Sequence, residues 1–593
     1  MMNSNEKPSA EQKLQTMRHS ASHVMAEAVK SLFPGVKFGI GPAIENGFYY
    51  DFDIQNLTTE DLPRIEKKMQ ELIKQDLPFV KENISKEAAR QLFKDQSYKL
   101  ELIEELQDGE ITLYTSGSFV DLCAGPHVES TRKISYDGFK LDKIAGAYWR
   151  GSEKNPMLQR IYGLAFRSRK ELDEYIKLQE EIKKRDHRVI GKDLDLFVFT
   201  DLIGKGLPIF TEKGSVIRRV LERFVVDEEI KRGYKHIYTP DLANIELYKT
   251  SGHYPYYKDT MYPLMKVDDE ELMLRPMTCP HHFQYYASKP RSYKELPFRI
   301  AEMAKQFRYE KSGELTGLIR VRSFCLADAH IICQKEQAVS ELNAVLDLIE
   351  YMGVTLGLNT GDNYRYRLSL GNRAEEKKYY KDDAAWEYAE GVLRSVLTQR
   401  KANFYEVGNE AAFYGPKIDI QMKNFAGKED TVFTVQYDFV MPKRFKLTFI
   451  DNDGKEKEPI VIHRSSIGAI ERTFAFLIEH YAGAFPVWLS PVEVMVIPVS
   501  DQFVEYARKV EGELKSADIR VQVDDSSERM NQKIRQAQLE KIPCMIIVGE
   551  KEVTESTVSI RLRTGKQLQA MPLAQFKERL LKIVSAKSRD FEL

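Results

Sequence analysis

Cysteine is scarce in this chain, with 5 among 593 residues. So few thiols, scattered rather than paired, exclude a disulfide-stapled scaffold and fit a reducing, cytoplasmic setting. Long apolar runs are missing too. None approaches the ~18 residues a membrane span needs, and the opening MMNSNEKPSAEQK lacks the apolar stretch of a signal peptide. Neither charge sign prevails: 88 Lys+Arg stand against 89 Asp+Glu, a formal net charge of −1. This excludes a simple polybasic nucleic-acid binder, but not one whose basic groups gather on one face. No GxxxxGK phosphate loop, GxGxxG fingerprint or CxxC pair is present, so the commonest nucleotide frameworks are out and a closed structural zinc site is disfavoured.

What is there supports ordinary folded domains: 42% of residues are hydrophobic and 30% charged. At ~150 residues per domain the length suggests about four of them. Residues 1–15 are polar and aperiodic, which predicts a flexible tail. From Thr16 a helical pattern places Val24, Ala28 and Leu32 on one face, stopped by Pro34-Gly35. The alternating Gly47-Phe48-Tyr49-Tyr50-Asp51-Phe52 predicts a strand, helices follow at about 60–75 and 85–95, and strands around 111–123 and 139–150. Residues 16–170 thus read as an α+β domain. The charged stretch Glu171 to Lys184 predicts a solvated linker helix over 171–185. Across 186–484, long helices (about 214–232, 336–357 and 382–401) mix with β-rich segments (about 404–421, 431–438, 444–450 and 459–463). That mixture predicts a mostly antiparallel sheet carrying helices. Beyond Ala484-Phe485-Pro486, strands at 492–498, 518–523 and 544–548 alternate with helices at 501–516 and 528–540, an α/β domain over 485–593. The fold class is α/β and α+β, multidomain.

Three constellations carry chemistry. His19 and His23, four apart on a predicted helix, share a face. Much later comes Phe119-Val120-Asp121-Leu122-Cys123-Ala124-Gly125-Pro126-His127, in which a strand would put Asp121 and Cys123 on one face and a turn would present His127. These groups could ligate a metal, or could form a metal-free pocket whose imidazoles position a water. The second constellation is Cys279, His330 and His463, three donors that would leave a metal position open for substrate, with Cys333 and the pair His281-His282 as competing candidates. Each of these residues taken alone reads more readily as a satisfied core side chain. The third is Phe307-Arg308-Tyr309-Glu310, a polar loop, then Arg320-Val321-Arg322, alternating as a hairpin would. Arg308 could grip a phosphate bidentately and Glu310 could accept from a purine amino group. Further on, Gly468 permits close approach and Arg472 supplies a second guanidinium; the bland alternative for such arginines is a solvated face.

The third constellation resembles motif 2 of the class II aminoacyl-tRNA synthetases, and Gly468 to Arg472 resembles their motif 3. The helix around 214–232 running to Tyr238-Thr239-Pro240 resembles motif 1, which implies a homodimer through that region. Within the class the chain resembles the bacterial-type threonyl-tRNA synthetase family, over essentially residues 16–590. The segments that carry this are His19-Ser20-Ala21-Ser22-His23, Asp121 to His127, Gly146-Ala147-Tyr148-Trp149-Arg150-Gly151, Met157 to Gly163, Asp186-His187-Arg188, Ala412 to Lys417 and Ile462-His463-Arg464. The resemblance implies an antiparallel class II catalytic core, an N-terminal α+β editing domain and a C-terminal α/β anticodon-binding domain. The domain estimate thereby contracts to three folded units, because the ubiquitin-like N-terminal domain common in the family is not expected ahead of a helix starting about 15 residues in.

The resemblance further implies that Cys279, His330 and His463 hold one zinc ion per subunit, which binds threonine through its amino and hydroxyl groups. Asp328 would accept from the threonine hydroxyl, Tyr414 and Lys417 would make further substrate contacts, and Glu310 would sit at adenine. Arg308, Arg320 and Arg472 would be the catalytic arginines, holding ATP with Mg²⁺ for activation of threonine and its transfer to the 3′ end of tRNA(Thr). Valine lacks the hydroxyl and is rejected, but serine lacks only a methyl, worth about 1–3 kcal/mol, so a second, hydrolytic site is expected. His19, His23, Lys99, Asp121, Cys123 and His127 match the family's editing pocket, and the metal-free reading is the one the family implies. Arg535, Lys541, Glu552 and Arg561 match anticodon-contacting positions, with Lys541 where an arginine is usual and Ser527 where an asparagine is usual. Cys325-Leu326-Ala327 and Thr431 also depart from the family's more polar pattern beside the threonine pocket. Two other readings use the same chain: a tRNA deacylase with a decayed synthetase site, and an RNA-binding regulator built on the scaffold. From Pro491 onward there are 17 basic and 16 acidic residues. RNA recognition therefore rests on placed arginines rather than on an excess of them.

Overall fold

A computed structural model describes residues 9–358, 364–375, 377–425 and 427–591. They form two compact units, one within residues 1–181 and one within 182–593. The expected tail residues 1–8 lie outside the described residues.

In the first unit the opening helix is longer than its apolar pattern predicts, running Ala10–Leu32 rather than from Thr16. The cause is local: Ser9 accepts from the Gln12 amide while the Gln12 side chain accepts from the Ser9 amide, a capping box that starts the helix before its buried face does. This helix packs on a sheet ordered Lys37–Phe38, Gly47–Asp53, Met157–Ala165, Phe139–Tyr148. Phe48, Tyr50 and Phe52 project from one side of Gly47–Asp53 into the core, as period-two alternation demands. Helix Leu62–Lys74 closes that core with Ile65, Met69 and Leu72, each worth about 1.5–3 kcal/mol on full burial. A smaller sheet pairs Val80–Asn83 with Thr112–Ser116 and that strand with Phe119–Leu122. Helix Ser97–Glu105, which no periodic pattern announces, carries Lys99 inward.

The second unit is built on an eight-stranded sheet. Its central run is antiparallel, in the order Phe298–Phe307, Ser323–Cys333, Ile460–Ala469, Glu429–Asp438, Lys417–Lys423, Tyr364–Ser369. Parallel partners, Lys235–His236 and Phe404–Val407, close the two edges. Helices Glu212–Lys231, Ala338–Thr355, Asp383–Gln399 and Ile470–Tyr481 bury apolar stripes in one continuous core with it. The segment expected to be β-rich at 444–450 differs: Met441–Phe445 is a short helix with Pro442 in its first turn, followed by a two-residue strand, Phe449–Ile450. Toward the C-terminus a five-stranded sheet is ordered Val521–Val523, Val494–Pro498, Cys544–Val548, Thr557–Leu562, Met571–Pro572. Its first three strands are parallel and the last two antiparallel, so the expected alternation ends in a returning hairpin.

Candidate functional site

Antiparallel register does most of the assembly in the second unit. His330 and His463 are direct partners on neighbouring strands, and Asp328, two residues before His330, pairs with Ser465. On the strand beyond, Gln436 pairs with His463. Cys279 arrives from elsewhere, at the first turn of helix Cys279–Ala287. Donor atoms of Cys279, His330 and His463 all lie within 4.8 Å of one another, and the three residues are buried. His281 and Cys333 do not join this cluster.

The polar groups behind the cluster prepare the imidazoles for a cation. His463 Nε2 donates to Asp438 Oδ2 at 2.7 Å, leaving Nδ1 as the lone-pair nitrogen. Nδ1 of His330 sits 2.8 Å from Nδ1 of His282, whose Nε2 is 3.3 Å from Glu302 Oε2. With the Glu302 carboxylate as terminal acceptor, His282 donates from Nε2, so His330 donates from Nδ1 and keeps its lone pair on Nε2. Burial costs Glu302 solvation, but bonds from His282 and Thr239 and the Arg275 charge hold its carboxyl down at about 2. Burial keeps His330 neutral and pushes the Cys279 thiol up, with the Asp328 charge adding to the latter. A sulfur, two imidazoles and carboxylate-anchored outer partners are a donor set suited to a zinc-type ion with an open position.

The donors line a cavity of about 660 Å³ that also takes in Arg308, Glu310, Arg320, Asp328, Tyr414, Lys417 and Arg472. Every catalytic, substrate and metal residue expected from the sequence therefore lines one cavity. The hairpin delivers the first arginines: Phe298–Phe307 and Ser323–Cys333 pair from Phe298↔Ile332 to Phe307↔Ser323, and the loop between them carries Arg320. Arg320 Nε lies 3.9 Å from Glu310. Burial, then the like charge of Arg308, lowers the Arg472 guanidinium's affinity for its proton, so this part of the cavity favours an anion. Arg472 Nη1 donates to the Thr431 carbonyl at 3.0 Å, and the Gln421 amide donates to Thr431 Oγ1 at 2.5 Å. The Tyr414 hydroxyl donates to Gln436 Oε1. Lys417 Nζ lies 3.1 Å from the buried Asp419. Leu326 lines the cavity, whereas Cys325 and Ala327 point into the core.

Sequence reasoning weighed His282 only as a competing ligand and did not foresee its place behind His330; it missed Glu302 and Asp438, also behind the metal donors, and His253 and Gln306 in the cavity wall. His282, three residues after Cys279 on one helix, is the member of this group that spacing could have ranked higher.

In the first unit His19, His23, Cys123 and His127 bring donor atoms within 4.8 Å of one another. Cys123 Sγ is 3.4 Å from His19 Nε2 and 3.3 Å from His127 Nε2. The other nitrogens are engaged by the Pro126 carbonyl, 3.2 Å from His19 Nδ1, and by Ser20 Oγ, 3.1 Å from His127 Nδ1. Burial pushes His127 down to about 2 and Cys123 up to about 11, so the group is uncharged. Beneath it Lys99 Nζ contacts Asp121 Oδ1 at 2.5 Å, and the Tyr50 hydroxyl donates to Asp121 Oδ2 at 2.6 Å. Asp121 also lies 3.4 Å from His23 Nδ1. All six expected residues converge. Tyr50 joins them unforeseen, although its place between Phe48 and Phe52 on the alternating strand marks it as inward-facing.

Toward the C-terminus the expected residues spread more widely. Arg535 is exposed on helix Met530–Leu539 and Ser527 is exposed ahead of it. Glu552 accepts from Ser559 Oγ at 2.6 Å, and Ser559 shares a face of strand Thr557–Leu562 with Arg561. Lys541 lines a narrow crevice with Leu194, Phe485 and the ion pair Lys213–Glu540, whose atoms are 2.9 Å apart.

An antiparallel sheet with a motif 2 hairpin, a motif 3 helix and their arginines on one cavity defines a class II aminoacyl-tRNA synthetase core. In agreement, the family described as tRNA synthetase class II core domain (G, H, P, S and T) matches residues 262–481. The anticodon binding domain family matches 493–583, and the threonyl and alanyl tRNA synthetase second additional domain matches 111–162. The chain is 49% identical to a threonine–tRNA ligase from Geobacillus sp., over 95% of this chain and 87% of that one. It is 47% identical to the Streptococcus suis threonine–tRNA ligase, over 99% of this chain and 90% of that one. Among solved structures, the RNA binding domain of threonyl-tRNA synthetase from Cryptosporidium parvum Iowa II matches with a TM-score of 0.64 and 34% identity, covering 69% of this chain and 99% of that one. The chain belongs to the threonine–tRNA ligase family. No helix among the described residues is long and apolar enough to cross a membrane.

Proposed function

We propose that this protein activates L-threonine with ATP, transfers it to the 3′ end of tRNA(Thr), and hydrolyses mischarged Ser-tRNA(Thr) in its first unit. The observation that carries the reading is the single cavity lined by both a Cys/His/His donor cluster and Arg308, Arg320 and Arg472. Zinc held by Cys279, His330 and His463 would supply two coordination positions for the amino and hydroxyl groups of threonine. Asp328 accepts the hydroxyl's proton-bearing end, Tyr414 and Lys417 close around the substrate, and valine leaves those polar groups unmatched. Arg308 and Arg472 hold the phosphates of ATP, Glu310 takes the adenine, and Mg²⁺ accompanies the nucleotide. The threonine carboxylate then attacks the α-phosphate in line and pyrophosphate leaves, helped by positioning and charge neutralisation.

Serine reaches the adenylate because a missing methyl discriminates weakly. In the metal-free reading, the neutral His19, His23, Cys123 and His127 position a water for hydrolysis of the seryl ester, with Lys99 and Asp121 bracing them. Arg535, Lys541, Glu552 and Arg561 contact the anticodon. Two subunits associate through helix Glu212–Lys231 and the following segment, where Tyr238 is 92% exposed. The five cysteines, all free thiols, suit the cytoplasm.

The test is threonine-dependent exchange of pyrophosphate into ATP. Cys279→Ala should abolish it, and full exchange in a zinc-free variant would remove the metal from the mechanism. His19→Ala or Cys123→Ala should leave threonylation intact while Ser-tRNA(Thr) accumulates; no accumulation would contradict the editing assignment.

A further inference from the structure

Asp186, His187 and Glu479 form a third cluster of possible ligand atoms. It is not a metal site, because both ring nitrogens of His187 are already used. Nδ1 donates to Glu479 Oε1 at 2.8 Å, and Nε2 accepts the backbone N–H of Leu318 at 3.1 Å. Leu318 belongs to the loop that joins the motif 2 strands and carries Arg320. The neighbouring peptide is held too: the Ile319 carbonyl accepts from Arg472 Nε at 3.2 Å.

Both holds come from one helix. Arg472 and Glu479 are seven residues apart on Ile470–Tyr481, two turns along the same face, and so about 10 Å apart. Arg472 grips the loop directly, whereas Glu479 grips it through the imidazole of His187. The fit is close. A Cβ on Gly317, whose φ is +48°, would lie 2.1 Å from His187 Nε2, so only glycine lets the loop reach the ring.

We propose that His187 is a positioning residue for ATP, a spacer between Glu479 and the Leu318 amide that sets the motif 2 loop, and with it Arg320, against Arg472. The proposal rests on the reading above that these arginines bind ATP. Tautomer is the physical requirement: Nδ1 must carry the proton for Glu479 so that Nε2 offers a lone pair to the loop.

Substitutions separate this from a role in packing. Glutamine can place its amide oxygen near the position of Nε2 and keep the Leu318 bond, whereas asparagine mimics Nδ1 and loses the loop. In pyrophosphate exchange, His187→Ala and His187→Asn should raise the KM for ATP about tenfold while the KM for threonine stays within about twofold. His187→Gln should return the ATP KM to within about threefold of wild type. Tryptic cleavage after Lys311 and Arg320 should quicken about tenfold in the first two variants and not in the third. An unchanged ATP KM and unchanged tryptic rates in His187→Ala would overturn the proposal. So would a parallel rise of both KM values with a lowered melting temperature, the signature of general destabilisation. If the wild type shows no exchange at all, the functional reading falls, and the tryptic rates alone decide whether the clamp exists.

Discussion

The imidazole of His463 donates from Nε2 to Oδ2 of Asp438 across 2.7 Å, and the other Asp438 oxygen accepts from the amides of Val440 and Met441 at 2.8 and 2.9 Å. One carboxylate thus fixes a tautomer and caps a turn. In Asp438→Asn the amide oxygen can still cap the turn, but an NH₂ now faces Nε2 and demands the opposite tautomer, which puts a proton on Nδ1. Zinc affinity should drop about 10–100-fold with little change in melting temperature. Competition against a chromophoric chelator measures it, and wild-type affinity in this variant would contradict the ligand assignment.

Lys99 and Asp121 are each 2% exposed and 2.5 Å apart. Lys99→Met leaves a buried carboxylate with no cation and should destabilise the first unit by about 3–5 kcal/mol. Adding Asp121→Leu removes the orphaned charge and should recover most of that loss. Hydrogen exchange in helix Ala10–Leu32 reports the stability, while threonine-dependent exchange, made in the other unit, should stay at the wild-type level in both variants. Equal protection in all three proteins would mean that the pair contributes nothing.

Stability of the first unit should be highest near neutral pH and fall on both sides. Burial, then the charges of His23 and His19, pushes His127 down to about 2, and burial lowers His19 and His23 as well. Below about pH 6.5 the unfolded histidines take protons that the folded ones refuse, so each contributes a loss of up to about 1.4 kcal/mol per pH unit. For His127 this window extends down to about pH 2. At the alkaline end an unfolded thiol ionises near about 8.5, whereas buried Cys123 keeps its proton to about 11. Stability should therefore decline again over that interval. The thermal transition of the first unit, followed against pH, tests both limbs, and His127→Gln should flatten the acid one.

Gly468 has a φ of +70°, and a Cβ there would sit 2.3 Å from the Val432 carbonyl oxygen. Gly468→Ala should cost about 1–3 kcal/mol in backbone strain alone. The displaced helix start carries Arg472 with it, so the KM for ATP should rise. A melting temperature and ATP KM both equal to wild type would show that the strand end accommodates the methyl.

Much of the site was legible because the chemistry sits on short, regular elements. His19 and His23 share a helix face by spacing alone, and Arg308, Glu310 and Arg320 lie at the end of a hairpin whose alternation is plain. The longer first helix was hidden because a capping box acts through backbone amides and leaves no apolar signature. Helix Ser97–Glu105 was missed for a related reason: it turns Lys99, a charged residue, inward. The strands expected at 444–450 gave way to a helical turn after Pro442, a local preference that outweighed the apolar pattern.

By itself the sequence determined which side chains were available and on which face of its own element each one lies, since helix and strand periodicities are local properties. Only the tertiary structure decided that Cys279, His330 and His463 meet within 4.8 Å, or that Tyr50 and Lys99 share Asp121. Those meetings depend on strand register and on which helix covers which sheet, and both follow from burying apolar surface over the whole unit. The same holds for His187, whose two bonds join a helix near the start of the second unit to a loop and a helix far along the chain. Spacing could not reveal that bridge, because the elements it joins are brought together by the core beneath them.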